Sequence, residues 1–529
     1  MEPLWLAIAF VLGFAVRQIG LPPLVGFLAA GFVLNAAGIQ SNETLEKVAD
    51  FGVMLLLFSI GLKLKIRQLL RPEVWAAASI HMLVTIVVFG AGVFALGLAG
   101  FSLFRGLDVR IALLIGFALS FSSTVFAVKV LEEKGEMYSL HGRVAIGILI
   151  MQDLFAVLFL TATAGKLPSP WALALLVLVP GRFLLMRIMD RSGHGELLVL
   201  LGWLLPIAGA WLFTVVGLKA DLGALILGVL LADHEKADEL AKALLSFKDL
   251  FLVGFFLTIG LSGTPSLEAI GIAFLLTVVT PLKVGLFFLL LTRFRLRART
   301  ATLTSLSLAN YSEFGLIIGA VGAANNWLAN EWLVIFALSL SITFIIASPL
   351  NTASHAIYAR WHRRLQRYQS SKRLPGDELP DTGEATVAIF GMGRVGTGAY
   401  DDLRTRIGDR VIGIDNDPEA VKAHCAAGRM VIQADATDSD FWERIRRRNR
   451  AAKIQLVLLT MANHSANLYA VKRLKKYNFP GMIAATAKFE DELDELEQAG
   501  ASISFNFYAE AGAGFAEHVF ESAMVHKSG

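Results

Sequence analysis

The first 350 residues of this chain consist mostly of long apolar runs, and this feature limits the folds open to it. A run of about 20 apolar residues is long enough to cross a bilayer as a helix. Only 17% of all residues are charged, and the shortage falls on this part, whereas residues 358–529 have the composition of a soluble domain. We therefore expect a polytopic α-helical membrane domain at 1–357, a cytoplasmic linker at 358–384 and an α/β Rossmann-like domain at 385–529.

Length and hydropathy predict about thirteen membrane helices. The apolar segments centre near Ala9, Phe27, Leu56, Val84, Leu119, Leu154, Leu176, Leu205, Ile226, Phe256, Val278, Ile317 and Leu338. Lysine and arginine are concentrated in alternate loops, which places those loops and the C-terminus in the cytoplasm and the N-terminus outside. No basic region precedes the first segment, so we interpret it as a membrane helix rather than a cleaved signal. A multi-pass protein of the cell inner membrane is thus predicted.

Net charge and cysteine content limit the partners and the metal sites that this chain is expected to have. The formal net charge of +4 needs no nucleic-acid partner, because loop lysines and arginines that face anionic lipid explain it. The single cysteine, Cys425, excludes an intramolecular disulfide and a metal site built from several cysteines.

Asp153 is the residue that points most directly to a function. It lies near the middle of the apolar run 144–164, where a carboxylate costs roughly 3 kcal/mol on insertion scales. Chains keep such a group mainly for proton transfer or cation binding, although a buried structural carboxyl is an alternative. The neighbouring Gln152 can form hydrogen bonds but cannot titrate. We predict that Asp153 and Gln152 belong to an ion and proton site.

Two of the predicted helices carry polar clusters in mid-run. The fifth contains Ser122, Ser123 and Thr124, and the twelfth contains the stretch 305–315. Such clusters suit broken helices, whose freed carbonyls and hydroxyls coordinate cations, although close helix packing through Ser and Thr is an alternative for each. An odd offset of seven helices gives the two opposite orientations. The pattern therefore predicts inverted repeats with crossed broken helices.

A single titrating carboxyl predicts electroneutral exchange. Protonated Asp153 releases its cation and ionised Asp153 binds one, so one monovalent cation exchanges for one proton. Lys283, the other mid-membrane charge, is expected to pair with Asp153 when no cation is bound or to cap a broken-helix carbonyl, the alternative being a snorkelling lysine. Glu313 is expected to cap backbone amides of the twelfth helix, with ion binding as the second option.

The soluble part carries a dinucleotide-binding pattern. A buried-strand run at 386–390 precedes a glycine motif, and an acidic residue ends a second strand about 20 residues later, as the fingerprint requires. The glycines would let the backbone approach a phosphate at a helix N-terminus, and Asp415 would hold ribose hydroxyls. A Rossmann fold that has lost its ligand is the alternative. The predicted nucleotide-binding residues are Gly391, Met392, Gly393, Arg394, Val395, Gly396, Asp415, Asn416, Asp435, Ala436 and Thr437.

The nucleotide is expected to be AMP or NAD(H). Asp415 disfavours a ribose 2′-phosphate and therefore disfavours NADP, but an acid on an adenosine ribose does not require a dinucleotide. An enzyme would need a second, substrate-holding domain, and the roughly 145 residues from 385 onward leave little room for one. We therefore expect a regulatory sensor rather than an enzyme.

The chain resembles the Kef-type potassium/proton antiporters of the monovalent cation:proton antiporter-2 family, and its soluble part resembles the TrkA-N type of nucleotide-binding regulator, also called RCK. The resemblance covers almost all of the chain. The segments that carry it in the membrane part are Phe58–Leu62, Ala118–Thr124, Gln152–Asp153, Gly228–Ala232, Phe255–Phe256, Gly260–Leu261 and Ser312–Phe314.

The resemblance implies ligand-gated potassium efflux coupled to proton entry, and a homodimer formed through both domains. It also implies a flavin-containing, quinone-reductase-like ancillary subunit as a partner. Glutathione or its conjugates often gate this family through arginines, but Lys488 and Asp401 stand where arginines would be expected. The acidic loop that contains Asp233, Glu235, Asp238 and Glu239 resembles the family's regulatory loop, with a solvated connection as the alternative.

Three other functions compete with this interpretation. A sodium/proton antiporter of the same fold has the same residue types at its site. A potassium channel would need a filter of Thr-Val-Gly-Tyr-Gly type, which does not occur in the sequence. A membrane-anchored nicotinamide oxidoreductase would leave Gln152 and Asp153 without a purpose.

Overall fold

The computed structural model divides the chain into two compact units. The first unit comprises 1–128, 144–294 and 301–354, and the second comprises 129–143, 295–300 and 355–529. The second unit thus includes two short segments that the sequence places between membrane helices. The structure describes residues 3–18, 23–62, 69–163, 169–218, 220–261, 266–329, 331–374, 377, 382–436, 438, 440–442, 454–476 and 478–527.

Helices account for nearly all of the described residues before 354, because a chain in lipid must satisfy its backbone polar groups internally. Each predicted segment centre lies within a helical element. The helices are α1 Pro3–Gln18, α2 Pro23–Ala36, α3 Glu43–Leu62, α4 Pro72–Leu98, α5 Val109–Ser120, α6 Thr124–Glu133, α7 Leu140–Thr163, α8 Leu178–Arg191 with a preceding 3₁₀ helix Pro170–Val177, α9 Glu196–Val215, α10 Ala220–Leu231, α11 Ala237–Leu261, α12 Leu267–Val278, α13 Thr280–Arg293, α14 Ala298–Ser307, α15 Glu313–Ala324 and α16 Glu331–Thr352.

Length and composition alone identify six spans among the described residues that could each cross a membrane. Shorter apolar helices occur beside them, and the span Val109–Glu132 includes the first predicted helix break. The six spans are Pro72–Leu98, Val109–Glu132, Pro170–Arg191, Glu196–Val215, Leu267–Arg293 and Glu331–Thr352.

Glycine pairs allow several of these helices to pack with their backbones close together. Gly61 on α3 faces Gly228 on α10, and a Cβ atom at Gly61 would lie 2.9 Å from the Gly228 Cα. Small residues of this kind are typical of helix contacts in membranes. Phe58 and Leu62 pack beside this crossing with Leu231 in one buried cluster.

Both predicted helix breaks are present. Helix α5 ends at Ser120 and α6 begins at Thr124, while α14 ends at Ser307 and α15 begins at Glu313. Local side chains stabilise the new N-termini: the Ser123 hydroxyl accepts a hydrogen bond from the Phe126 amide, and Ser312 caps α15. Serine is favoured at such positions because its hydroxyl satisfies an otherwise unpaired amide.

The second unit contains a parallel sheet with the strand order β3-β2-β1-β4-β5-β6 among its described residues. This is the order of a Rossmann fold. The strands are β1 Val387–Phe390, β2 Val411–Asp415, β3 Val431–Gln433, β4 Leu456–Leu459, β5 Met482–Ala487 and β6 Ile503–Asn506. The helices are α17 Ser354–Leu365, α18 Arg394–Ile407, α19 Pro418–Ala426, α20 His464–Lys476, α21 Glu490–Ala499 and α22 Phe507–Lys527.

Runs at 386–390, 411–414, 455–460 and 482–486, together with a run that reaches Gln433, predict the first five strands, whereas β6 was not predicted. The first strands are apolar throughout because helices cover both faces of a parallel sheet, and all four residues of β1 are buried. Strand β6 alternates between half-buried and exposed residues, so it lacks the continuous apolar run. The predicted boundary at residue 357 lies inside α17, whose chain runs on into the predicted linker.

The turn from β1 into α18 depends on two glycines. Gly391 has a φ of +91°, and a Cβ atom at Gly396 would overlap the carbonyl oxygen of Gly391. The first position needs a backbone conformation that side chains disfavour, and the second needs the space that a side chain would fill.

Replacing Gly396 by alanine is expected to displace this turn and to weaken nucleotide binding by about tenfold or more, which corresponds to about 1.4 kcal/mol. Gly398→Ala is the matched control, because it lies on the same helix and a Cβ atom there would meet nothing within 4 Å. Binding of AMP and of NADH to the purified full chain is the measurement. Equal affinities for Gly396→Ala and Gly398→Ala would contradict this account of the turn.

Candidate ion and nucleotide sites

Asp153 lies on α7 against the first helix break. Its side chain is buried, at 3% exposure, and the Thr124 hydroxyl donates a hydrogen bond to its Oδ2 at 3.0 Å. Thr124 is the first residue of α6, where backbone amides are not paired within the helix and favour negative charge. The break therefore places a carboxylate, a hydroxyl and a helix N-terminus together inside the first unit.

Gln152 ties α7 to the same break from the other side. Its Oε1 accepts a hydrogen bond from the Ser122 amide at 2.9 Å, and its Nε2 donates to the Ser120 carbonyl at 3.3 Å. The side chain thus uses both ends of its amide on backbone groups that the break leaves open. Gln152 fixes the position of the break relative to Asp153.

The two breaks contact each other directly. The Ser122 hydroxyl donates to the Leu308 carbonyl at 2.9 Å, and the Asn310 Oδ1 accepts from the Ser123 amide at 2.7 Å. Asn310 is fully buried and was not predicted as a site residue, although it lies within the polar stretch of the twelfth helix. Its amide group in mid-run was the signal that could have identified it.

Lys283 caps backbone carbonyls at both breaks. Its Nζ donates to the Phe121 carbonyl at 2.5 Å, to the Asn310 carbonyl at 3.0 Å and to the Leu119 carbonyl at 3.4 Å. Phe121 and Leu119 lie at the C-terminal end of α5, where a cation complements the helix dipole. Of the two roles predicted for Lys283, these contacts correspond to the capping of broken-helix carbonyls.

His81 on α4 supports the position of Lys283. Its ring stacks on Phe287 with centroids 3.4 Å apart, and its Nε2 lies 3.2 Å from the carbonyl oxygen of Lys283.

Glu313 begins α15 at the second break. It is buried, and the Ser312 hydroxyl donates to its Oε2 at 3.3 Å. A carboxylate in the first turn of a helix complements the positive end of the helix dipole. The placement at the helix N-terminus agrees with the first of the two predicted roles.

The glycine motif of the second unit is hydrogen-bonded to the carboxylate of Asp415. The Met392 amide donates to Asp415 Oδ2 at 2.7 Å, and the Asp417 amide donates to Oδ1 at 2.9 Å. Gly393, Arg394 and Val395 are exposed at the start of α18, so the backbone amides of its first turn are available to a phosphate group. Asp415 thereby sets the position of the loop that would receive the nucleotide.

The other predicted nucleotide-binding residues have contacts of their own. The Asn416 carbonyl accepts from Gln433 Nε2 at 3.4 Å, and the carbonyl of buried Ala436 accepts from Trp442 Nε1 at 2.6 Å. Asp435 accepts a hydrogen bond from Arg299 at 3.0 Å. Thr437 lies outside the described residues.

Arg299 belongs to a buried charge cluster that the sequence does not predict. We call it the arginine clamp, and it consists of Arg297, Arg299, Asp435, Asp438 and Asp440, all in the second unit. Arg297 binds Asp438 and Asp440, each at 2.7 Å. Removing one partner of such a buried ion pair destabilises the folded protein by about 3–5 kcal/mol, because the other charge is left buried and uncompensated.

The arginines of the clamp keep Asp438 ionised. Burial acts to raise the pKa of Asp438, but Arg297 and Arg299 outweigh it and hold that pKa far below its ordinary value. A carboxylate whose pKa is lowered by folding stabilises the folded state at pH values above its ordinary pKa. This stability is lost only when the pH falls through the lowered pKa. The ion pair with Arg297 therefore persists throughout the neutral range.

A second buried cluster in the same unit surrounds Glu136. His355 Nε2 lies 2.5 Å from one carboxylate oxygen of Glu136, and His141 Nε2 lies 3.0 Å from the other. Burial acts to raise the pKa of Glu136, but the two histidines hold that pKa well below its ordinary value. We call Glu136, His141 and His355 the Glu136 cluster.

The sequence comparisons identify the family of the membrane part. Residues 6–352, about two thirds of the chain, match the transmembrane sodium/hydrogen exchangers. The chain belongs to the sodium/hydrogen exchanger family. Residues 387–506 of this exchanger match the TrkA-N domain, which is a nucleotide-binding domain. The predicted fold class, membrane antiporter helices followed by a Rossmann-like domain, is thereby confirmed.

Curated relatives of this exchanger are transport proteins. It is 29% identical over 525 residues to the glutathione-regulated potassium-efflux system protein KefC of Enterobacter sp. (strain 638), a match that covers 93% of this chain and 80% of the relative. The protein of the same name from Escherichia fergusonii is 29% identical over 522 residues, with the same coverage. These matches support the prediction of an ion antiporter rather than an enzyme.

A solved structure of the sodium proton antiporter MjNhaP1 from Methanocaldococcus jannaschii is 15% identical and has a TM-score of 0.48, covering 69% of this chain and 96% of that chain. The NAD(P)-binding domain of an exopolyphosphatase-related protein from Archaeoglobus fulgidus is 20% identical with a TM-score of 0.24, covering 26% of this chain and 98% of that chain.

The acidic loop of this exchanger that was predicted to be regulatory contacts the end of α8. Glu239 binds His194 at 2.9 Å, and Lys236 donates to the carbonyls of Asp190 and Gly193. Asp233 and Glu235 are exposed, and the side chain of Asp238 is outside the described set.

Replacing Lys283 by methionine is expected to destabilise the exchanger, because buried carbonyls at both breaks lose their donor. Each unsatisfied buried group costs about 1–3 kcal/mol. Leu282→Ala is the control, since Leu282 lies beside Lys283 on α13 and is 61% exposed. Thermal unfolding of the purified protein in detergent is the measurement. A Lys283→Met variant as stable as Leu282→Ala would show that the capping contacts contribute nothing.

Proposed function

We propose that this exchanger moves potassium out of the cell in exchange for protons, with Asp153 as the group that carries both. The observation that supports this most strongly is the placement of a buried carboxylate against a helix break, within hydrogen-bonding distance of Thr124. The KefC relatives, which are potassium-efflux proteins by name, suggest the cation.

The exchange follows from competition at one carboxylate. Ionised Asp153 attracts a monovalent cation, and the oxygens of the Thr124 hydroxyl and of the break carbonyls are suitable further ligands. Protonation removes the charge and releases the cation. Lys283 already donates to carbonyl oxygens at both breaks, where a cation complements the C-terminal end of α5. One proton then replaces one cation, and no net charge moves.

The second unit regulates this exchange by binding an adenine nucleotide, AMP or NAD(H). Asp415 at the end of β2 supports this choice, since an acid there suits a free ribose hydroxyl and disfavours a 2′-phosphate. Glutathione is a further candidate ligand, suggested by the KefC name alone. A homodimer, a flavin-containing ancillary subunit, an external N-terminus and an inner-membrane location are parts of the same proposal.

Sodium is the second candidate cation. The matched family is named for sodium/hydrogen exchange, and the oxygen ligands near Asp153 suit either ion. Proton flux measured with potassium and with sodium on opposite sides of the membrane separates the two candidates.

Asp153→Asn is expected to reduce cation-dependent proton flux in proteoliposomes to the level of empty liposomes, because asparagine neither ionises nor takes up a proton. Glu331→Gln is the matched control, since it neutralises an exposed carboxylate at the start of α16. Flux through the control should equal that of the wild type. Undiminished flux through Asp153→Asn would refute the assignment of the carrier.

Electroneutral exchange predicts that a membrane potential alone drives no transport. Proteoliposomes with an imposed potential, equal pH and equal cation concentrations on both sides should show no net proton movement. A proton flux that follows the sign of the potential would mean that the transport cycle moves charge.

A further inference from the structure

Two segments of the second unit adjoin the broken helices in sequence. Segment 129–143 contains the end of α6 and the start of α7, and segment 295–300 contains the start of α14. Helix α6 begins at the first break, α7 carries Asp153, and α14 ends at the second break. The chain therefore joins α6, α7 and α14 directly to the unit that holds the nucleotide-binding sheet.

The arginine clamp holds segment 295–300 within the second unit. The guanidinium group of Arg297 donates hydrogen bonds to Asp438 and Asp440. Arg299 forms ion pairs with Asp435 and Asp438. Because a guanidinium group binds carboxylates with a fixed geometry, these contacts set position as well as charge.

Two further groups of the second unit reinforce the clamp. Asp377 accepts hydrogen bonds from the Arg297 amide and from the Thr300 hydroxyl. The Tyr358 hydroxyl of α17 donates to Asp440 at 2.7 Å. The start of α14 is thus fixed through side chains and through its own backbone.

The Glu136 cluster holds segment 129–143 in a similar way. The carboxylate of Glu136 lies between His355 of α17 and His141 of α7. Gly135 lies so close to Asn463 that a Cβ atom at Gly135 would come within 2.9 Å of the Asn463 Nδ2. Asn463 follows β4, so this segment too contacts the carboxyl end of the sheet.

The arginine clamp contacts the sheet at the carboxyl ends of its strands, where a Rossmann fold binds the adenosine of its ligand. Asp435 and Asp438 follow β3, and Asn416 follows β2. A cavity at this edge is lined by Asn416, Gln433 and Asp435 on the side of the strands and by Arg297 and Arg299 on the side of the clamp. Ligands of such sheets bind outside the carboxyl ends of the strands, so Asp435 belongs both to the clamp and to the predicted adenosine site.

We propose that the arginine clamp is the link through which a nucleotide at the carboxyl end of β2 and β3 controls the broken helices. An adenosine that enters this edge competes with Arg299 for Asp435 and loosens segment 295–300, which frees α14 to move at the second break. In the clamped state the helix is fixed and exchange is slow. This inference rests on the proposed nucleotide-regulated antiport and assigns its regulation to particular residues.

The first test is Arg299→Gln in the full-length protein, with Arg295→Gln as the matched control. Arg295 lies in the same segment and is exposed. Cation-dependent proton flux is measured in proteoliposomes without nucleotide, with AMP and with NADH. Arg299→Gln is expected to raise the flux without nucleotide by about fivefold or more and to abolish the response to both nucleotides, whereas Arg295→Gln behaves like the wild type. A wild-type response retained by Arg299→Gln would overturn the proposal.

A measurement on the wild type avoids dependence on the folding of a variant. Hydrogen exchange of the backbone amides in segments 129–143 and 295–300 is followed with and without AMP or NADH. The proposal predicts faster exchange in 295–300 when the effective nucleotide is bound, and unchanged exchange in that segment with a nucleotide that alters the flux would contradict it. Absence of flux in the wild type, by contrast, would contradict the antiporter function itself.

Discussion

The arrangement around the ion site depends on the contact between one ammonium group and the ends of two interrupted helices. A break in a membrane helix exposes carbonyls that lipid cannot solvate, and each unpaired group costs several kcal/mol. Lys283 satisfies carbonyls from both breaks, while Gln152 and Asn310 accept hydrogen bonds from amides of the first break. With these backbone groups paired, the carboxylate of Asp153 lies against the first break as the proposed carrier of cation and proton.

This arrangement separates the residues that build the site from the residue that titrates. Gln152, Asn310 and Lys283 hold the two breaks in place through hydrogen bonds to backbone groups. In the proposed regulation, a shift at the start of α14 reaches Leu308 and Asn310, which follow the last residue of that helix. The arginine clamp acts at the start of α14, at Arg297 and Arg299.

The sequence predicts much of this structure because the patterns involved are local. Apolar runs identify the helices, polar clusters identify both breaks, and the glycine motif with Asp415 identifies the nucleotide fold. Asn310 was missed because its role depends on the Ser123 amide of a distant helix. The arginine clamp was missed because each arginine lies more than 130 positions from its carboxylate partner, and in the sequence Arg297 and Arg299 stand out only as part of a basic stretch between two apolar segments. Strand β6 was missed because it lacks an apolar run.

The central claim is that one carboxylate binds either a cation or a proton. It is tested most directly by adding potassium to the purified, weakly buffered protein in detergent and measuring the protons released. Competition at Asp153 predicts about one proton per chain near the pH at which the group titrates, and no release from Asp153→Asn. Cation binding without proton release in the wild type at every pH, or equal release from the variant, would contradict the account.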